Sequence, residues 1–227
     1  LSFSQNRTGQ NPKSAIHNPQ SGADLRPLVD AGLAALGLEA DADQRERLLA
    51  FIALLARWNR AYNLTAVRDP TEMIPRHLLD SLTVSPYLQG EAILDAGTGA
   101  GLPGIPLAIL APTRRFVLLD SNGKKIRFVR QTVGELRLAN VTAVQARLES
   151  YRSEEKFATI VSRAVTSVSA LAAAAAHLLD RPARLLAMKG RYPADELDFE
   201  PPGPLRVHRL TVPFLDGERH LIEIRYD

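Results

Sequence analysis

Ile93-Leu94-Asp95-Ala96-Gly97-Thr98-Gly99-Ala100-Gly101-Leu102-Pro103-Gly104 is the stretch on which the reading of this chain turns. A short apolar run enters a glycine cluster, and a helix is predicted to open at about Pro103. Glycines let the backbone turn tightly and let a ligand approach without Cβ obstruction. The amino end of the helix brings N–H groups and partial positive charge. The next apolar run ends in Asp120, 19 residues beyond Gly101, where a carboxylate suits the hydroxyls of a ribose. A bare tight turn followed by a surface carboxylate is the plainer alternative. It leaves the order strand, glycine cluster, helix, second-strand acid unexplained.

Outward from this stretch, short apolar runs alternate with helical patterns. The runs are AILDA (92–96), FVLLD (116–120), VTAVQA (141–146), ATIVSRA (158–164) and RLLAMKG (184–190), with helices predicted at about 103–111, 123–138 and 167–179. Apolar strands without polar alternation imply burial on both faces, as in a parallel sheet, and their alternation with helices implies an open α/β architecture. The end reads differently. LRVHRLTVPF (205–214) and RHLIEIRYD (219–227) flank Leu215-Asp216-Gly217-Glu218, which predicts a terminal antiparallel hairpin.

On the amino-terminal side, residues 24–88 read as helices. Leu25, Leu28, Val29, Leu33 and Leu36 recur at helical spacing. Asp43 and Glu46 suggest a capping box before Leu48, Phe51, Ile52, Leu55, Trp58 and Tyr62. Pro70 opens a further helix carrying Met73, His77 and Asp80 and ending near Tyr87. Residues 1–23 are polar and rich in Pro, Gly, Asn and Ser, and read as a flexible tail. The expected division is thus a tail (1–23), a helical cap (24–88) and an α/β domain (89–227).

Composition narrows the class. Of 227 residues, 45% are hydrophobic, which excludes wholesale disorder. No apolar run approaches a membrane span, and residues 1–23 lack the apolar core of a signal peptide. The absence of cysteine excludes disulfides and thiolate metal sites. A cytoplasmic location and no membrane association are expected.

Gly99-x-Gly101-x-x-Gly104 formally satisfies the dinucleotide fingerprint, but Asp95 directly precedes the glycines. A carboxylate there would repel a pyrophosphate and suit a ligand that brings an amine. S-adenosylmethionine does so, with a carboxylate for the loop N–H groups and a ribose for Asp120. No Gly-Lys-Ser/Thr follows, which excludes a P-loop.

At this point the chain resembles a known family. ILDAGTGAGLPGIPLAI followed by LLDSNGKKIRFVRQ is similar to the bacterial 16S ribosomal RNA guanine-N7 methyltransferase family, also called glucose-inhibited division protein B. RWNRAYNLTAVRDPTEMIPRHLLDSL (57–82), VSRA (161–164), MKG (188–190) and DGERHLIEI (216–224) extend the likeness over about residues 25–226. The resemblance implies a Rossmann-like class I S-adenosylmethionine-dependent methyltransferase fold and methylation of guanosine N7 in the 530 loop of 16S rRNA. It places cofactor contacts at Gly97, Leu102, Leu148, Glu149 and Arg163. Leu148 would wall the adenine ring and Glu149 would meet its edge. The charge reading adds Asp95, Gly99 and Asp120.

The chemistry needs no obligatory catalytic side chain, because guanine N7 already carries an unprotonated lone pair. Positioning can supply most of the acceleration. Guanine O6 lies beside N7 and favours Arg or Lys partners, so Arg163 and Lys189, at the ends of predicted strands, are the base-positioning candidates. Residues 114–130 hold Arg114, Arg115, Lys124, Lys125, Arg127 and Arg130 against Asp120 alone, a net +5. Such a basic stripe beside the pocket suits RNA phosphates, although an ordinary solvated helix face would look the same. His77 and Asp80 are weak as a metal pair, and no metal is expected. His77 reads better as a hydrogen-bonded anchor of the cap, with Asn63 and Thr65 closing over the cofactor. His208 and His220 read as structural. The expected partner is 16S rRNA or the small ribosomal subunit, with no obligatory protein partner. The rivals are a nicotinamide-dependent oxidoreductase, for which no Tyr-x-x-x-Lys pair is found, and an RNA-binding or assembly module that holds S-adenosylmethionine without using it.

Overall fold

The apolar runs pair into one seven-stranded sheet in the computed structural model, which describes residues 24–163 and 167–227; the expected tail and Ala164 fall outside the described residues. The strands are β1 (Ala92–Ala96), β2 (Arg115–Asp120), β3 (Val141–Gln145), β4 (Phe157–Arg163), β5 (Leu179–Lys189), β6 (Leu205–Leu210) and β7 (Arg219–Tyr226). Their order is β3-β2-β1-β4-β5-β7-β6. The first five run parallel, and β7 lies antiparallel to both β5 and β6. Every residue of β1 is buried, as a strand covered on both faces requires. From β1 the chain builds outward through β2 and β3, then returns to place β4 on the other side of β1. That reversal opens a crevice at the carboxyl ends of β1 and β4, where ligands of open α/β sheets collect.

The helices are α1 (Arg26–Ala35), α2 (Ala42–Tyr62), α3 (Pro70–Met73), α4 (Asp80–Leu82), α5 (Gly104–Leu110), α6 (Gly123–Glu135) and α7 (Val168–Ala175). The amino-terminal helices share one buried cluster with α5, α6 and a face of the sheet. Val29, Leu48, Phe51 and Leu78 join Ile93, Ile105, Phe116 and Phe128 there. Residues 24–88 therefore pack as a layer of the α/β body. A second cluster, with Leu171, Ala172 and Ala175 of α7 against Leu94, Ile160 and Leu185, covers the opposite face.

Several local expectations are corrected. The capping box of α2 is Asp41 and Gln44: Asp41 Oδ1 accepts from the Gln44 N–H at 2.7 Å, and Gln44 Oε1 accepts from the Asp41 N–H at 2.9 Å. Asp43 pairs with Arg47 instead, and Glu46 with Arg26. The helix that opens at Pro70 ends at Leu82, and a π-helical stretch, Ile74–Leu79, lies between α3 and α4. Pro75 lies inside that stretch and has no N–H for the α-helical ladder, which widens there. Tyr62, last of the apolar positions at helical spacing in α2, stacks on Trp58 at 5.0 Å but is 43% exposed. β6 stops at Leu210, so the hairpin turn is longer than Leu215–Glu218. Pro213, without an N–H, cannot extend the ladder.

Candidate functional site

The glycine stretch turns at the carboxyl end of β1. Gly97, Gly99 and Gly101 all take positive φ. The N–H groups of Gly97 and Thr98 both donate to the Leu119 carbonyl of β2, at 2.8 and 2.9 Å, which ties the loop to the neighbouring strand. Gly104 is required by close approach: a Cβ there would lie 2.7 Å from Asp95 Oδ2 and 2.8 Å from Leu118 Cγ.

Asp95 is not where charge reasoning put it. It is fully buried behind the loop. Its Oδ2 accepts from the Thr98 hydroxyl at 2.6 Å and from the Gly104 N–H at 2.7 Å. The carboxylate thus braces the loop and takes the first N–H of α5, so that N–H is not left for a ligand. Burial pushes the Asp95 carboxyl up to about 7, against the opposing pull of the Thr98 and Gly104 hydrogen bonds and the Arg163 charge. The physical reason for the displacement is the tightness of the turn, which folds back over the strand end and encloses the side chain.

In front of the loop lies a cleft of about 430 Å³. Gly97, Gly99, Leu102, Asp120, Leu148, Glu149 and Arg163 all line it. Leu64, Thr65, Lys125 and Arg147 add to its walls. Asp120 holds two backbones together: Oδ2 accepts from the Gly99 N–H at 2.9 Å and Oδ1 from the Asn122 N–H at 2.8 Å. Asn122 in turn caps α6 by accepting from the Lys124 N–H. A carboxylate offers about four acceptor positions, so Asp120 keeps capacity for a hydroxyl in the cleft.

Arg163, at the end of β4, also lines a second cavity of about 360 Å³ with Arg76, His77, Asp80, Met188, Lys189, Gly190, Leu210, Arg219 and His220. Buried Asp80 is clamped between two arginines, with Oδ2 accepting from Arg163 at 3.2 Å and Oδ1 from Arg219 at 3.1 Å. His77 joins the two cavities, since its Nε2 sits 2.7 Å from the Thr65 hydroxyl. Burial, then the Arg163 charge, pushes His77 down to about 4. The ring is neutral at physiological pH; with Nδ1–H donating to the Arg76 carbonyl, Nε2 accepts from Thr65. His77 and Asp80 thus serve as hydrogen-bond and ion-pair partners, and among the described residues no group of metal-ligating side chains is found. Lys189 donates to Glu196 Oε2 at 2.6 Å.

The basic stretch 114–130 is not one surface. Lys125 lines the cleft, 3.9 Å from Asp120. Lys124, Arg127 and Arg130 are exposed along α6. Arg114 and Arg115 lie at the amino end of β2, where Arg115 pairs with Glu91 and Glu155. At about 3.3 Å per residue, β2 carries them roughly 16 Å from Asp120 at the cleft. Arg219 and His220 were missed as site residues. Nothing local marks them; they arrive because β7 is antiparallel to β5, which sets His220 opposite Lys189. The signal was present in the predicted antiparallel last strand, whose amino end must return to the carboxyl edge of the sheet.

The family model described as rRNA small subunit methyltransferase G matches residues 44–222. The chain is 53% identical to the Ribosomal RNA small subunit methyltransferase G of Methylococcus capsulatus over 199 residues, covering 87% of this chain and 97% of the relative. It is 49% identical to that of Salmonella arizonae over 191 residues, covering 83% and 92%. Among solved structures, a methyltransferase from Geobacter sulfurreducens shares the fold at a TM-score of 0.58 and 17% identity, over 88% of this chain and 98% of that one.

Proposed function

The chain belongs to the rRNA small subunit methyltransferase G family, and from that membership we propose that its acceptor is N7 of a guanosine in the 530 loop of 16S rRNA. It is an S-adenosylmethionine-dependent rRNA methyltransferase. No described helix is long and apolar enough to cross a membrane. The substrate class of the family supports the reading of a cytoplasmic enzyme acting on the small ribosomal subunit or its naked RNA. The structural observation that supports this reading is that two cavities meet at Arg163, one lined by the glycine loop and Asp120 and one lined by Arg76, Lys189 and Arg219.

The residues present suit S-adenosylmethionine. Asp120 has acceptor capacity for its ribose, the positive-φ glycines keep Cβ atoms away from the cleft, Leu148 offers an apolar wall for the adenine, and Glu149 an acceptor for the adenine amine. Asp95 serves by holding the loop, so preference for this ligand over a dinucleotide rests on family membership rather than on a direct carboxylate contact. When bound, the cofactor supplies an electrophilic methyl group on a sulfonium.

The chain's own contribution is placement. The Arg163 guanidinium, fixed by Asp80, stands between the cavities and directs donors toward guanine O6, which sits beside N7. Lys189 is the second base-positioning candidate on the same wall. N7 needs no proton removed, and His77, engaged with Thr65 and the Arg76 carbonyl, is not asked to act as a base. Catalysis then comes from orientation and exclusion of water. The test is transfer of radioactive methyl from S-adenosylmethionine to 30S particles and to deproteinised 16S rRNA, with chemical mapping of the product. Label at guanine N7 in the 530 loop is expected; label at another position or on another base rejects the assignment. Arg163→Ala is expected to fold and lose transfer. A folded variant with wild-type cofactor affinity and wild-type transfer removes Arg163 from the site.

A further inference from the structure

Three large hydrophobic side chains stand exposed among the described residues: Tyr62 at 43%, Tyr192 at 53% and Phe214 at 56%. Tyr62 has its stacking partner in Trp58. The other two belong to the segments that frame the second cavity. Tyr192 follows Gly190 by two residues, and its ring meets the His220 ring edge-on at 5.5 Å and 84°. Gly190 and His220 both line that cavity. Phe214 lies on the turn between Leu210 and Arg219, two further lining residues.

Exposure of a single ring is ordinary, but Phe214 has a second peculiarity. Its φ is +61°, in the left-handed region that a bulky residue rarely enters. The backbone accepts an unfavourable conformation while the ring gains little burial from it. Such an outlier, on the turn that joins two residues of a cavity, calls for something that the ring contacts.

Charge selects the occupant. The cavity is lined by Arg76, Arg163, Lys189 and Arg219, with Asp80 as the lining acid and Glu72 and Glu196 pairing with Arg76 and Lys189, and Arg191 is exposed beside Tyr192. Cations interleaved with exposed rings suit a polyanion with flat, apolar faces, which is single-stranded RNA with its bases unstacked. An acidic peptide would meet the cations but would not present successive flat bases to the rings. We propose that Tyr192 and Phe214 form a stacking rim on the second cavity, which receives an unpaired rRNA base at the entrance to the methylation site. This rests on the reading of that cavity as the acceptor side. It adds a stacking platform to a chain of which only 6% is aromatic.

The test uses the full chain with Tyr192→Ala, Tyr192→Phe and Phe214→Gly. The glycine substitution removes the ring and relaxes the backbone, so its melting temperature is expected to hold or rise. Binding of a fluorescein-labelled single-stranded copy of the 530 loop is followed by anisotropy. Tyr192→Ala and Phe214→Gly are each expected to weaken binding about fivefold or more, the low end for loss of one stacked base. Tyr192→Phe should stay within about twofold of wild type, since the ring's face is kept. S-adenosylmethionine affinity, measured by calorimetry, should be unchanged in all three. Wild-type RNA affinity in both ring-deleted variants overturns the proposal, whatever the transfer assay returns. Failure of the wild-type enzyme to label guanine N7, with the binding losses intact, would leave the stacking rim and remove the acceptor assignment instead.

Discussion

Two aspartates nine-tenths or more buried, Asp95 and Asp120, sit on adjacent strand ends and do different work. Asp95 gives one oxygen to the Thr98 hydroxyl and the Gly104 N–H, while its Oδ1 is buried without a hydrogen-bond partner among the described residues. Asp120 gives each oxygen to a backbone N–H and still faces the cleft. Asp120→Ala therefore removes both the acceptor proposed for a ribose and the tie between the glycine loop and α6. Hydrogen bonds to a charged group contribute about 1.5–3 kcal/mol, so cofactor affinity by calorimetry is expected to fall roughly 10- to 100-fold. Unchanged affinity would take Asp120 out of the binding site.

At the scale of elements, the turn from β1 into α5 works only with glycine at its last position, and α6 provides an internal control. Gly104→Ala puts a methyl group 2.7 Å from Asp95 Oδ2 and is expected to lower stability by about 1–3 kcal/mol, the range for overpacking. Gly134, in α6, has nothing within 4 Å of a built Cβ and no positive φ; Gly134→Ala should raise stability by about 0.4–1 kcal/mol. Urea unfolding of the two variants side by side checks both signs. The exposed face of α6, with Lys124, Arg127 and Arg130, is a candidate surface for RNA phosphates. Lys124→Glu with Arg127→Glu should weaken binding to rRNA and flatten its dependence on salt, because phosphate contacts release counterions. Arg115→Ala should leave both unchanged, since its guanidinium pairs with Glu91 and Glu155 at the far end of β2. Equal effects from the two substitutions would restore the single basic stripe that the sequence suggested.

The whole molecule adds a pH dependence in which two buried groups oppose one another. Burial raises the Asp95 carboxyl from 3.8 to about 7, so its contribution to stability is full below 3.8 and is lost as pH rises through 7. Burial lowers His77 from 6.5 to about 4, so its contribution is full above 6.5 and is lost as pH falls through 4. Between pH 4 and 6.5 the two effects largely cancel. Asp95→Asn keeps an oxygen acceptor for Thr98 and Gly104 but cannot titrate. The variant should then lose stability on acidification from pH 6.5 to 4 more steeply than the parent, as read by denaturant unfolding across that range. Superimposable pH profiles for the two proteins would refute the account.

The α/β architecture, the positions of the strands and the cleft beside the glycine loop were legible in the amino-acid sequence, because those depend on local patterns. Apolar runs, glycine clusters and strand-end acids mark their own places within a few residues. Seven of the eight residues expected around the cofactor line one cleft; Asp95, next to the glycines in sequence, is turned inward by the fold of the loop. The second cavity and the division of the basic stretch emerge from the assembled fold. Arg219 reaches Asp80 across 139 positions, and Arg115 and Lys125 part company along β2. Which side chains meet after such long closures depends on strand order and direction, and on which end of a strand a residue occupies. Those are properties of the assembled sheet, not of any window of sequence.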